Sequence, residues 1–178
     1  MVFYIFQNNF FSKRTFPIKW LITVRKSDVD PYKLTMKIKR AEVFGKGIEF
    51  TCRYKAEGNF YRRFSDYIEK GHDLGGIVEV NVKSVKRGNP PITLNSMLLF
   101  NIMTEEEYKE CVLKVKKVAE LIKEDLLNKG LTLYDIKFEL GKINEDIVLI
   151  DEITSENMTV YENDVLIRSR ELYKKLIK

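Results

Sequence analysis

Residues 131–153 read Leu-Thr-Leu-Tyr-Asp-Ile-Lys-Phe-Glu-Leu-Gly-Lys-Ile-Asn-Glu-Asp-Ile-Val-Leu-Ile-Asp-Glu-Ile, and this stretch decides the fold. From Tyr134 to Leu140 charged and apolar residues alternate, which in a strand sends them to opposite faces. Asp135, Lys137 and Glu139 then share one face, and Ile136, Phe138 and Leu140 the other. Leu131–Leu140 and Ile147–Ile153 are two strands around the connection Gly141–Asp146. One hairpin parity puts Asp151 on the charged face and the other puts Glu152 there; alternation leaves both open.

Upstream lies the clearest helix, Glu105 to about Lys129. Thr104 is an N-cap, and Glu107 three residues on completes a capping box. Tyr108, Val112, Val115, Ala119, Ile122 and Leu126 step by four and three, so one stripe faces a core. Asn128-Lys129-Gly130 stops it. Each large apolar side chain buried along that stripe contributes roughly 1.5–3 kcal/mol, which makes the helix scaffold. Downstream, Asp164–Lys178 reads as an amphipathic helix with Val165, Leu166, Leu172 and Leu176 inward.

Further upstream the period is two. Lys33–Arg40 and Ile48–Tyr54 are strand-like runs around Gly45-Lys46-Gly47, and pair as a hairpin. Ile77–Val85 alternates Val78, Val80 and Val82 against Glu79, Asn81 and Lys83, a strand with one wet face. Phe60–Glu69 reads as a short helix closing at Gly71, and Arg87–Pro91 as a rigid loop. Trp20–Val24 resembles a strand, and the opening MVFYIFQNNFF an edge strand. Strands and helices follow one another without steady βαβ alternation, so the class is α+β.

Composition bounds what such a fold does. A chain of 178 residues suits one domain, or one with a small appendage, and 44% hydrophobic residues exclude wholesale disorder. Cys52, Cys111 and the single His72 are too few for a disulfide framework, a histidine-built zinc site or a Ser-His-Asp triad. No apolar run approaches the roughly 20 residues of a membrane span, and the first residues lack a signal-peptide pattern. A reducing cytoplasm is the expected location. The net charge of +5 is uneven: residues 1–63 carry 14 basic and 5 acidic side chains, the remainder 17 and 21. A phosphate-bearing ligand on one side and a bound cation on the other suit that division, with nucleic acid competing for the basic half.

Two constellations carry chemistry. Carboxylates converging around Lys137 repel one another unless a cation sits between them, and hard oxygens with room for water and phosphate describe a magnesium site. The same pattern also describes a solvated sheet face crossed by salt bridges, each worth about 0–1 kcal/mol. The second constellation is Cys52–Arg63, with Arg53, Lys55, Arg62 and Arg63 around Gly58. Its arginines suit bidentate contacts to phosphate or carboxylate. A solvated basic loop, or a surface for single-stranded nucleic acid, has the same composition.

In order along the chain these motifs resemble the SAICAR synthetase (phosphoribosylaminoimidazole-succinocarboxamide synthase) family. Glu49-Phe-Thr-Cys-Arg53-Tyr-Lys-Ala-Glu-Gly58-Asn59 is similar to the family's Glu-x-x-x-Arg-x-x-x-x-Gly-Ser segment. Lys83–Pro90 resembles its Lys-x-Asp-x-x-x-Asp-Pro, with Asn89 before the proline. Asp135-Ile-Lys137-Phe-Glu139-Leu-Gly141, followed by Asp151-Glu152, resembles its Asp-x-Lys-x-Glu-Phe-Gly strand and the carboxylates after it. The resemblance runs from about Leu34 to Tyr161. It implies antiparallel sheets with packed helices over 34–178, and a reduced N-terminal segment over 1–33 that lacks the family's Tyr-x-Gly-Lys-x-Lys motif. Glu156–Tyr161 replaces the family's Asp-x-Ser-Arg-x-Trp and lacks its arginine.

The resemblance further implies an ATP-dependent ligase of purine biosynthesis, with ATP and Mg2+ as cofactors. ATP activates the carboxylate of a carboxyaminoimidazole ribonucleotide, and the amine of aspartate displaces phosphate. Glu139 and Asp151 would hold the metal, with Lys137 and Asp135 near the reacting groups. Arg53, Gly58, Asn59, Arg62 and Lys83 would bind the nucleotide substrate. The alternative is a non-catalytic relative that binds a nucleotide or phosphometabolite, as a homo-oligomer or beside a partner subunit supplying the missing lobe.

Overall fold

The structure, a computed structural model, describes residues 40–176 and the backbone of a strand pair formed by Val29–Asp30 (β1) and Thr35–Met36 (β2). The expected strand at Trp20–Val24, the opening edge strand and most of segment 1–33 lie outside the described residues. Then follow Glu42–Val43 (β3), Ile48–Lys55 (β4), Gly58–Phe64 (α1), Asp73–Val82 (β5), Leu94–Leu99 (α2) and Glu105–Leu127 (α3). Thr132–Ile143 (β6), Asp146–Leu149 (β7), Met158–Glu162 (β8), Val165–Leu166 (β9) and Ser169–Leu176 (α4) complete the chain.

Strand β6 is the spine of a seven-stranded sheet with the order β5-β4-β6-β8-β9. Its first half pairs β4 on one edge and β8 on the other; its second half pairs β3 and β7. All of these pairings are antiparallel, as the α+β expectation requires. Asn144 and Glu145 alone separate the paired residues Ile143 and Asp146, with Asn144 at φ 54°, a left-handed value that asparagine tolerates. Gly141 has no room for a side chain: a Cβ there would lie 2.5 Å from the Glu42 carbonyl oxygen. This close approach is what lets β3 pair with the second half of β6.

The apolar face of the sheet packs on α3. Phe50, Cys52, Ile136, Phe138 and Val160 meet Val115, Val118, Ala119, Ile122 and Leu126, all essentially solvent-free. The capping box forms: the Glu107 N–H donates to Thr104 Oγ1, and the Thr104 N–H to Glu107 Oε2. The buried stripe runs through Cys111 and Val118, leaving Val112 only half-buried. Burial pushes the Cys52 thiol up to about 11 and the Cys111 thiol up to about 12, so both are inert packing groups.

Three expectations change. Both edges of β4 are taken by β5 and β6, so it forms no hairpin with 33–40. Strand β4 is central, because β6 arrives from far along the chain. In the tail, Val165 and Leu166 form β9 and are 67% and 53% exposed, while Leu172 is buried and Leu176 packs against the core. Helix α2 and strand β8 were not expected; both are too short for periodicity to reveal.

Candidate functional site

The polar face of the sheet, opposite α3, collects the charged residues. Register sets Arg53 opposite Asp135, Thr51 opposite Lys137 and Glu49 opposite Glu139. On the other edge of β4, Glu79 faces Thr51 and Asn81 faces Glu49. A cleft of about 570 Å3 opens over this face, bordered by Arg53, Arg62, Arg63, Glu79, Asn81 and Asn89.

One end is basic. Arg53 donates to Glu79 at 2.8 Å and to Asp135 at 2.9 Å, and its guanidinium lies 5.3 Å from the centre of the Phe60 ring. Being 11% exposed and flanked by two carboxylates, it is the built-in wall of the cleft. Burial raises the Asp135 carboxyl above the usual range, outweighing the opposing pull of Arg53 and of a hydrogen bond from Thr159. Gly58 opens α1 with φ 56°, a left-handed value that a side chain would strain, although none would clash there. Beyond it Arg62 donates to Asn59 Oδ1, and Arg63 to Glu79.

The other end is acidic. The main-chain N–H of Ile150 donates to the Glu139 carbonyl at 3.0 Å, and Asp151 is the residue whose side chain meets Glu139. Hairpin parity does not decide between the two acids: Ile150 lies opposite Glu139, β7 ends at Leu149, and Asp151 reaches Glu139 from just beyond the strand. Burial first, and then the Asp151 charge, raise the Glu139 carboxyl, while Lys83 pulls it down through a 2.7 Å contact. That contact, with the charges of Asp151 and Glu49 nearby, raises the Lys83 ammonium. Lys83 thus belongs with the carboxylate pair and not beside the arginines with which the sequence grouped it. Lys137, 3.3 Å from Glu49, stands between the two ends.

Among the described residues no three His, Cys, Asp or Glu side chains gather as a metal cage. Glu139 and Asp151 nevertheless fit a magnesium ion, which takes one or two carboxylates and completes its shell with water and phosphate oxygens. Their mutual repulsion is the strain that such a dication would relieve.

Two parts of the arrangement escaped the sequence. Glu79 was legible only as a wet-face residue of its strand, because nothing local reveals which strand lies opposite. Asn89 appeared only as a departure from a motif. Its side chain accepts from the Ser84 N–H and its carbonyl from Asn81, which ties the loop at the cleft's rim.

With the geometry in place, three comparisons bear on the chain. The SAICAR synthetase family model matches residues 7–175. The chain is 42% identical over 146 residues to the phosphoribosylaminoimidazole-succinocarboxamide synthase of Clostridium tetani, covering 81% of this chain and 64% of that protein. It is 30% identical over 131 residues to that of Sulfolobus acidocaldarius, covering 72% of this chain and 55% of that protein. It therefore spans 64% and 55% of these two relatives. The fold is similar to the solved phosphoribosylaminoimidazole-succinocarboxamide synthase of Ehrlichia chaffeensis, with a TM-score of 0.77, 22% identity, and coverage of 97% of this chain and 77% of that one. It is also similar to a SAICAR synthetase in complex with ADP, with a TM-score of 0.70, 23% identity, and coverage of 79% of this chain and 66% of that one. The chain belongs to the SAICAR synthetase family.

Proposed function

We propose, starting from that membership, that the chain is an ATP- and magnesium-dependent ligase of purine biosynthesis, joining aspartate to a carboxyaminoimidazole ribonucleotide. The observation that carries this reading is a single sheet face holding Arg53, Asp135, Lys137 and Glu139, with Asp151 at its end. In the reaction ATP phosphorylates the imidazole carboxylate, the aspartate amine attacks the activated carbon, and phosphate leaves as the amide forms. The attacking amine gives up a proton along the way.

Each end of the polar face has a task in that sequence. Asn59 and Arg62, placed by the Gly58 turn, hold the nucleotide at the basic mouth, and Arg53 fixes the wall behind it. Lys137 offers a positive charge where oxygen charge grows between the two ends. Asp135, whose burial favours its protonated form, is suited to take up the amine proton. Glu139 and Asp151 would hold magnesium, which supplies charge neutralisation for phosphate oxygens. Lys83, already beside Glu139, assists on the same phosphates.

The test is incubation with ATP, magnesium, the imidazole nucleotide and aspartate. Phosphate and amide should appear in equal amounts. A folded sample that releases neither ends this reading.

A further inference from the structure

The carboxylate of Glu79 is shared between two arginines of unequal freedom. Its Oε2 accepts from Arg53 Nε at 3.2 Å and from Arg53 Nη2 at 2.8 Å; its Oε1 accepts from Arg63 Nη2 at 2.5 Å. Arg53 has a second carboxylate, Asp135, and is 11% exposed. Arg63 is 32% exposed, and among the described residues Glu79 is its one ion-pair partner. The Arg63 guanidinium also lies 5.8 Å from the Phe60 ring centre and 5.4 Å from that of Phe64, which shelves it at the cleft mouth. An anion entering the cleft meets Arg62 and Arg63, and beside them Glu79; the cleft's other carboxylate, Glu49, is paired with Lys137.

We propose that Glu79 is an internal counter-ion: it holds Arg63 in place in the empty cleft and gives it up to the ligand's anionic group on binding. The inference rests on the proposed nucleotide reading, because it takes the anion to be the substrate phosphate. Arg53 keeps Asp135 throughout, so the exchange moves one arginine and leaves the wall standing. Glu79 is a positioning residue that also sets selectivity. A ligand must out-compete a carboxylate for Arg63, which a phosphate dianion does and a neutral sugar does not.

The experiment is calorimetric titration of the full chain with ribose 5-phosphate, with ribose as the uncharged control. Glu79→Gln keeps a carbonyl acceptor for the arginines and removes the competing charge. It should tighten ribose 5-phosphate binding about fivefold, leave ribose unbound, and lose the gain when combined with Arg63→Ala. A mere structural anchor would instead weaken binding when changed. Glu79→Gln binding equal to or weaker than wild type, with wild type binding the ester, overturns the counter-ion and leaves the nucleotide reading standing. No binding of the ester by wild type or variant overturns both. Should Glu79→Gln not fold, a crystal of the wild type with the ester decides: an Arg63–Glu79 separation beyond salt-bridge distance supports the exchange, and an intact pair beside bound ester refutes it.

Discussion

The two faces of β6 are built on different physics. One carries Ile136, Phe138 and Leu140 against α3, where burial is complete and every contact adds stability. The other carries Asp135, Lys137 and Glu139, each tied to an opposite charge, on β4 for the first two and on Lys83 just beyond β5 for the third. Burial pushes Asp135 and Glu139 toward their protonated forms, so these ionised carboxylates sit there at a cost. The apolar face is finished without a ligand; the polar face holds unrelieved charge. The first sets the stability of the domain, and the second spends some of it to stay ready.

This contrast can be broken most sharply on the apolar side. Phe138→Ala should cost about 3–5 kcal/mol, seen as a large drop in the urea midpoint. On the polar side Arg53→Ala leaves the mostly buried Asp135 without its cation and Glu79 with Arg63 alone, and should cost about 2–3 kcal/mol. If Arg53→Ala proved harmless, the polar face would be a solvated surface and the contrast would collapse.

A smaller effect sharpens the picture at the acidic end. Glu139→Gln together with Asp151→Asn should abolish magnesium-dependent turnover while changing stability by less than about 1 kcal/mol. The sign with pH follows from the raised carboxyl. The folded state holds the Glu139 proton more tightly than the unfolded state, so its ionisation opposes folding at neutral pH. That penalty shrinks as pH falls through the folded-state value toward the ordinary 4.5. The stability gap between Glu139→Gln and wild type should therefore narrow on acidification, measured by thermal melts across that range. Smallest of all, Thr104→Ala removes the cap of α3 for about 1 kcal/mol, with no effect on ligand binding.

Alternation within a strand and periodicity within a helix are local, which is why α3, its capping box and the two faces of β6 were readable from residues alone. Register is not local. Nothing near Arg53 announces that Asp135 lies opposite, and Asp151 rather than Glu152 meets Glu139 because the chain leaves β7 after Leu149, which alternation does not show. Glu79 was missed for the same reason: its meaning comes from Arg53 and Arg63, which belong to other elements. Val165 and Leu166 misled in the opposite way, being apolar at helical spacing yet lying in a short exposed strand.

The central place of β4 has a consequence for the chain as it is made. Arg53 and Asp135 are 82 positions apart. At ribosomal speeds of about 5–20 residues per second, β4 waits roughly 4–16 seconds for the strand that completes it. Until residues 105–127 are made, Phe50 and Cys52, solvent-free in the finished protein, have neither β6 nor α3 to cover them. Nascent chains are thus most exposed to aggregation, and most in need of a chaperone, before α3 and then the spine strand emerge.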